Sequence, residues 1–329
     1  MKKKSHTSNS RRDFLKTSSV SVLSLAIPES VLDLFSFGEK LRIGLISDLH
    51  LDIIHDGPER LQAFLEEMKL EKPDALIQMG DFAIPNPENL ASIQAFNAAH
   101  THAFHVLGNH DMDGGFSKKE VARIFGMEDL YYAVDLGSVL LLVLDGNDPD
   151  SPTKKGFYDS YIGPTQQAWL AAELEKSQKP CVIISHQPIA GIYTIDNASE
   201  IQAILSRFSS KILLAINGHA HVDQQVEVGG VNYVHINSAS YYWVGEALEH
   251  ESLSQEIHQK HPSLKYTCPY LKPLFAMLTI DPKAKKITIE GKKSEWIGPS
   301  PFELGYTILT EAEQEKYLQP KISDRKVRV

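Results

Sequence analysis

The sequence predicts a layered α/β domain built around mostly parallel strands, and three observations carry that reading. Short apolar runs recur along the chain without polar alternation, as strands buried on both faces require. Segments with apolar residues at helical spacing alternate with the early runs, the order that a layered sheet needs. With 329 residues and 42% hydrophobic content the chain can bury a large core, and it reads as one domain from residue 39 to 329 after an N-terminal segment, 1–38.

The strands expected are Leu41–Ser47, Ala75–Met79, Ala103–Leu107, Val139–Leu144, Cys181–Ser185, Ile212–Ile216 and Val231–Ile236. A helix over Pro58–Leu70 follows from Leu61, Phe64, Leu65 and Met68, and one over Pro87–Ala99 from Leu90, Ile93 and Phe96, each set falling on one helical face. Further helices are expected at Ser117–Phe125, Gln166–Ser177 and Ala198–Phe208. Met277–Ile280 and Ile287–Glu290, divided by Asp281-Pro282, read as a hairpin late in the sheet. Between Tyr241 and Pro273 the rhythm breaks. There the run Tyr241-Tyr242-Trp243 leads into a charged helical stretch and several prolines, an insertion expected to overhang the sheet edge as a lid.

Formal net charge is −9, yet the first sixteen residues hold six basic side chains against Asp13, so the remainder stands at −14. So acidic a body excludes a nucleic acid duplex as partner, because neutralising phosphates needs clustered Lys and Arg. A small phosphorylated substrate held by metal stays compatible. The start of the chain, Ser10-Arg11-Arg12-Asp13-Phe14-Leu15-Lys16 before a modestly apolar stretch from Val20 to Ile27, resembles a twin-arginine export signal. That resemblance implies passage through the twin-arginine export machinery, which carries folded proteins, and a periplasmic or otherwise extracytoplasmic location. The stretch is too short and serine-rich for a permanent membrane anchor, and no clear small-x-small cleavage site comes after it. Of the two cysteines, Cys181 opens an apolar run and is expected to be a buried strand residue rather than a disulfide partner of Cys268.

Five apolar runs end in residues able to bind metal or move protons: Asp48-Leu49-His50, Gly80-Asp81, Gly108-Asn109-His110-Asp111, Ser185-His186 and Gly218-His219-Ala220-His221. No one of them is diagnostic, since Asp-x-His and Gly-Asp arise by chance and a lone His is commonly a packed or surface residue. Their joint placement matters. Buried parallel strands deliver the residues at their ends to the sheet's C-terminal edge, where open α/β sheets place ligand sites. Asp48, His50, Asp81, Asn109, His186, His219 and His221 then form an N/O donor set suited to Mn, Fe, Zn or Co, free of thiolates and too large for one ion.

In their order these motifs resemble the calcineurin-like metallophosphoesterase family, from Leu41 to His221. The resemblance implies a four-layer α/β/β/α sandwich with two divalent or mixed-valence transition metal ions at the strand ends. It assigns Asp48, His50 and His221 to one ion and Asn109, His186 and His219 to the other, with the Asp81 carboxylate bridging both. Two ions so held lower the pKa of a shared water, and the bridging hydroxide is the expected nucleophile on phosphorus. His110 is expected to stabilise the transition state or protonate the leaving oxygen, oriented by Asp111. Purple acid phosphatases usually have Tyr three residues after the bridging Asp and no His in the first motif. Ile84 and His50 stand at those places here, which argues against a tyrosinate-bound ferric ion.

The function expected is therefore hydrolysis of a small phosphodiester, such as a cyclic nucleotide, a glycerophosphodiester or a nucleotide diphosphate derivative, with a phosphomonoesterase as the alternative in the same fold. An inactive phosphate-binding protein would have no use for His110 and Asp111, which bind no metal in this scheme. Asn147, Asp148, Tyr193, Tyr241, Tyr242 and Trp243 lie downstream of strands or of His186 and are candidates for lining the substrate crevice. His100, His102, His105, His250, His258 and His261 fit no ligand spacing.

Overall fold

Parallel strands from two separate sheets end at the same edge of the molecule, and that edge is where the motifs lie. The computed structural model describes residues 23–25, 38–154 and 156–328. Strand β1 (Leu23–Leu25) falls within the stretch expected to be the apolar part of an export signal, while Arg11 and Arg12 lie outside the described residues. In the first sheet β2 (Leu41–Ile46), β3 (Ala75–Gln78) and β4 (Ala103–His105) are parallel neighbours, connected through α1 (Gly57–Glu71) and α2 (Leu90–Ala99). A 3-10 turn (His110–Gly115), α3 (Lys118–Phe125) and β5 (Tyr132–Asp135) lead to the second sheet. There β6 (Leu140–Leu144), β7 (Cys181–Ser185), β8 (Ile212–Asn217) and β10 (Val231–His235) run parallel, with α4 (Pro164–Lys176) and α5 (Ala198–Arg207) as crossovers and β9 (Gln225–Val228) at the edge.

The chain then leaves through β11 (Tyr241–Trp243), α6 (Gln255–Lys260) and β12 (Thr267–Pro269) before returning to the first sheet as β13 (Ala276–Asp281) and β14 (Lys286–Glu290). After α7 (Glu311–Tyr317), β15 (Arg325–Arg328) pairs with β14 and with β1. The sheet orders are β1-β15-β14-β13-β2-β3-β4 and β5-β6-β7-β8-β10-β9.

Alternation along the buried strands builds the layers. Leu41, Ile43 and Leu45 of β2 enter a core between the sheets, where Leu141, Val143, Val182, Ile184, Leu214 and Ile216 meet them. Ile46 and Leu76 face the other way, onto Leu61, Phe64 and Met68 of α1 and Ile93 and Phe96 of α2. On the second sheet Leu142, Leu144 and Ile183 pack outward against Leu170 and Leu174 of α4 and Ile201 and Leu205 of α5. The architecture is thus the four-layer α/β/β/α sandwich. The inter-sheet core draws on residues from Leu41 to Ile322.

The expected strands and helices form within a few residues of their expected bounds. Pro58 opens α1, and Lys72, in left-handed conformation, closes it with an N–H donated to the Met68 carbonyl. A capping box of Ser117 and Glu120 starts α3 and Gly126 ends it. Helix α2 starts at Leu90 rather than Pro87, because residues 86–89 are spent in a turn in which Asn89 N–H bonds Asn86 O at 3.1 Å. Strands β5, β9, β12 and β15 and helix α7 went unforeseen, being too short or too polar to announce themselves. Cys181 and Cys268 are buried and unpaired, in different apolar clusters. Among the described residues no helix is long and apolar enough to cross a membrane.

Gly44 marks how closely α1 approaches β2: a Cβ there would land on the Met68 sulfur and within 2.9 Å of Leu76. Gly44→Ala is expected to lower stability by about 1–3 kcal/mol through overpacking, checked as a reduced urea midpoint with an unchanged slope.

Candidate metal centre

Each motif begins where a parallel strand stops. Asp48 and His50 follow β2, Asp81 follows β3, Asn109 and His110 lie beyond β4, His186 follows β7, and His219 and His221 follow β8. The loops are tied to one another by backbone bonds: Asp48 N–H to Gly80 O at 3.0 Å, His50 N–H to Asp81 O at 2.9 Å, and Gly218 N–H to His186 O at 3.0 Å. Ser238 and Ser240, beyond β10, donate to the carbonyls of Asp48 and Leu49 at 2.8 and 2.7 Å. The glycines permit this closeness. A Cβ on Gly108 would land on the Asp81 N–H and carboxylate, one on Gly80 on the His186 ring, and one on Gly218 on the Ser47 hydroxyl.

The ligand atoms gather into two triads, Asp48, His50 and His221, then Asp81, His186 and His219, each with its donor atoms within 4.8 Å of one another. In the first, His221 Nε2 stands 3.2 Å from both Asp48 Oδ1 and His50 Nε2. In the second, His186 Nε2 is 3.0 Å from Asp81 Oδ2 and 3.3 Å from His219 Nδ1. Asp81 Oδ2 also lies 3.7 Å from His50 Nε2, so this carboxylate reaches from its own triad to the first. Its Oδ1 accepts the His110 N–H at 2.8 Å.

The donor set fits metal. Both side-chain polar atoms of Asn109 are buried without a hydrogen-bond partner beside these triads, an arrangement that costs free energy unless something else satisfies them. His186 Nδ1 bonds Met79 O and His221 Nδ1 bonds Tyr241 O, both at 2.8 Å, which fixes the tautomer and leaves each Nε2 as the ligand atom. Tyr241 stacks on His50 with centroids 5.0 Å apart and holds that ring too. Asp48, His50, Asp81, His219 and His221 all have positive φ, between 50° and 64°, a conformation that costs free energy in a non-glycine residue.

Burial would raise the Asp48 carboxyl, but the imidazoles of His221 and His186 outweigh it and hold it at about 2. Asp81 is likewise held well below the carboxylate range against its own burial, chiefly by His186 and His110. Burial pushes His50 and His219 down to about 3, so both are neutral and ready to donate a lone pair. His186 goes the other way: burial opposes its charge, but Asp81 and Asp48 raise its pKa.

Around the ligands several expectations need correction. The Asp111 carboxylate does not bond the His110 imidazole. It accepts backbone N–H groups of Phe82, Ala83 and Gly108 at 2.7, 3.0 and 2.8 Å and so locks the Asp81 loop to the Asn109 loop. Burial and the nearby Asp81 charge push Asp111 up to about 7. The partner of His110 is Asp113, whose Oδ2 is 2.8 Å from Nδ1, and Tyr158 Oη adds a contact at 3.1 Å. The i,i+3 spacing on the 3-10 turn could have revealed Asp113; no sequence signal places Tyr158 there.

Asn147 and Asp148, expected at the crevice, are framework instead. Asn147 donates to Leu107 O and Asp145 and accepts from Gln187, while Asp148 receives Lys118 Nζ at 2.8 Å and Gly163 N–H at 2.9 Å. Their strand, β6, pairs directly with β7, on the side away from β8. Tyr193, Tyr241, Tyr242 and Trp243 do border a cavity of about 340 Å³ that opens beside His50, His110 and His219. Tyr306 and Ile308, from the C-terminal segment, complete it. Only the first strand of the expected lid and residues 244–245 reach this cavity, while Ile257 of α6 packs back on Ile54, Tyr241 and Leu264. His105, which fits no ligand spacing, is buried among Phe82, Phe96 and Phe125 with Gln78 and Asn97 on its nitrogens.

Two sheets delivering such a donor set define a metal-dependent phosphoesterase once the chain is compared with known proteins. A sequence model of the calcineurin-like phosphoesterases matches residues 41–223, more than half of the chain, and the protein belongs to that family. Among solved structures, a dimetal phosphatase from Danio rerio is 15% identical with a TM-score of 0.55, over 78% of this chain and 98% of that one. GAP50, the anchor in the inner membrane complex of Plasmodium, is 14% identical with a TM-score of 0.53, over 79% of this chain and 85% of that one. At these identities the likeness is one of fold. No curated protein sequence matches the chain.

Because Asp81 and Asp48 keep a proton on His186 in the metal-free protein, loading metal must expel it. At neutral pH about one proton should be released on loading, and affinity should weaken roughly tenfold per unit as the solution is acidified. Calorimetric titration with Mn in two buffers of different ionisation enthalpy measures this; equal heats in both would contradict the assignment of His186 as a ligand.

Proposed function

We propose that the protein is an exported phosphodiesterase acting on a small substrate, and that Asp48, His50 and His221 hold one metal ion, Asn109, His186 and His219 a second, with Asp81 shared. The observation that carries the reading is the Asp81 carboxylate, which is 3.0 Å from His186 in its own triad and also 3.7 Å from His50 of the other. Two ions in this set would supply Lewis acidity at the phosphoryl oxygens and lower the pKa of water between them.

The chain's own groups do the rest. His110 borders the cavity, and its Nδ1 is engaged by Asp113, which leaves Nε2 to hold a proton for the leaving oxygen. Burial works against a charged His110, but Asp81 and Asp113 outweigh it and raise its pKa, as suits a general acid. The backbone N–H of His110 on Asp81 Oδ1 keeps the imidazole at a set distance from the shared carboxylate.

The diester preference rests on charge. A phosphomonoester has three non-bridging oxygens, and one left off the metals needs a cationic side chain; a diester presents an ester group there instead. Among the described residues lining the cavity none is Lys or Arg, and Trp243, Tyr193 and Ile308 offer carbon. Export rests on Arg11-Arg12 and the apolar stretch after them.

With Mn added back, chromogenic diesters should be turned over faster than chromogenic monoesters; the reverse order would make the protein a phosphomonoesterase. His110→Ala should keep its metal yet slow turnover by about two to four powers of ten, whereas Asp81→Ala should lose metal, both read by metal analysis beside kinetics. Replacing Arg11 and Arg12 by Lys together should retain the protein in the cytoplasm on cell fractionation, and unchanged export would contradict the signal.

A further inference from the structure

Beside the ligand histidines the cavity is lined by aromatic and aliphatic side chains and by no Lys or Arg among the described residues. Trp243 and Tyr193 are each 42% exposed and Ile308 is 70% exposed, so three large apolar surfaces face the space next to His110 and His219. The two aromatic rings are held in place. The Trp243 ring packs against Tyr266 and Tyr241, with centroids 5.6 and 6.4 Å away. Tyr193 is fixed by its hydroxyl, 3.1 Å from that of Tyr306, which in turn lies 2.8 Å from that of the buried Tyr242. Its backbone has φ 56°, a conformation that costs free energy and turns the residue out of the run after His186. Preorganised aromatic faces beside a phosphoryl site gain most from a flat, uncharged group. An additional phosphate or carboxylate would be taken out of water there without a basic partner among the described lining residues.

We propose that Trp243, Tyr193 and Ile308 form the subsite for one ester group of the substrate, and that this group is aromatic and uncharged; the proposal rests on the phosphoesterase reading and narrows its substrate class. A nucleoside or aryl ester group of a phosphodiester fits, whereas a nucleotide diphosphate derivative, with its second charged phosphate, does not. Tyr241 serves the metal ligands, through its stack on His50 and its carbonyl on His221, and is not part of the subsite.

The test is binding of phosphinates, which have two non-bridging oxygens as a diester does and cannot be hydrolysed, to the Mn-loaded protein by calorimetry, with ester turnover measured on the same sample. Methyl(phenyl)phosphinate should bind about tenfold or more tightly than dimethylphosphinate, and a 4-carboxylate on the ring should remove most of that gain. In Trp243→Ala the ratio of the two dissociation constants should fall toward one, and Ile308→Ala, an exposed position that tolerates truncation, should lower it in part. A ratio near one in the unaltered protein, or a ratio untouched by both substitutions, overturns the subsite even if esters are hydrolysed. The expected ratios in a protein that hydrolyses no ester would uphold the subsite and overturn the hydrolase reading instead.

Discussion

A buried carboxylate shared between imidazoles from different sheets is the constraint on which the rest of the structure turns. Asp81 lies between His186 on one side and His50 on the other, and its second oxygen takes the backbone N–H of His110. To put one small side chain in that place, the ends of β2, β3, β4, β7 and β8 have to meet within a few ångströms. That demands strands that stop together, turns without side chains at Gly80, Gly108 and Gly218, and a tight core between the sheets to stop the two edges sliding.

The cost of that convergence is visible in the backbone. Five of the seven proposed ligands hold positive φ, and conformations of that kind persist where surrounding contacts over-determine them. Here the surroundings are the cross-loop bonds of Asp48, His50 and Gly218, the serine hydroxyls of 238 and 240, and the Asp111 carboxylate across three N–H groups. Asp111 therefore serves the site by holding two loops in register. Orientation of His110 falls to Asp113 and Tyr158, one from the same 3-10 turn and one from a distant loop.

How much was legible depends on which signals are local. The parallel strands are near-continuous apolar runs, and the motifs come directly after them, so Asp48, His50, Asp81, Asn109, His186, His219 and His221 could be named as one set before any contact was known. Short edge strands such as β9 and β15 have half-exposed or charged residues and carry no such pattern. Asn147 and Asp148 followed the same rule as the ligands and broke it, because their strand lies beside the site's strands and its polar ends were taken up by Lys118, Gln187 and backbone groups.

Tyr306 and Ile308 lie far along the chain from every motif, yet they close the cavity that begins at Tyr193. Nothing local marks them, since their role is set by where the C-terminal segment packs. By itself the sequence determined the strand ends, the donor atoms and the glycines between them, because burial on both faces and chain reversal are written in neighbouring residues. Only the tertiary structure decided which acid orients His110, that Asn147 and Asp148 bond to the framework, and that Tyr306 and Ile308 close the cavity, because those depend on contacts between segments that sequence distance does not encode.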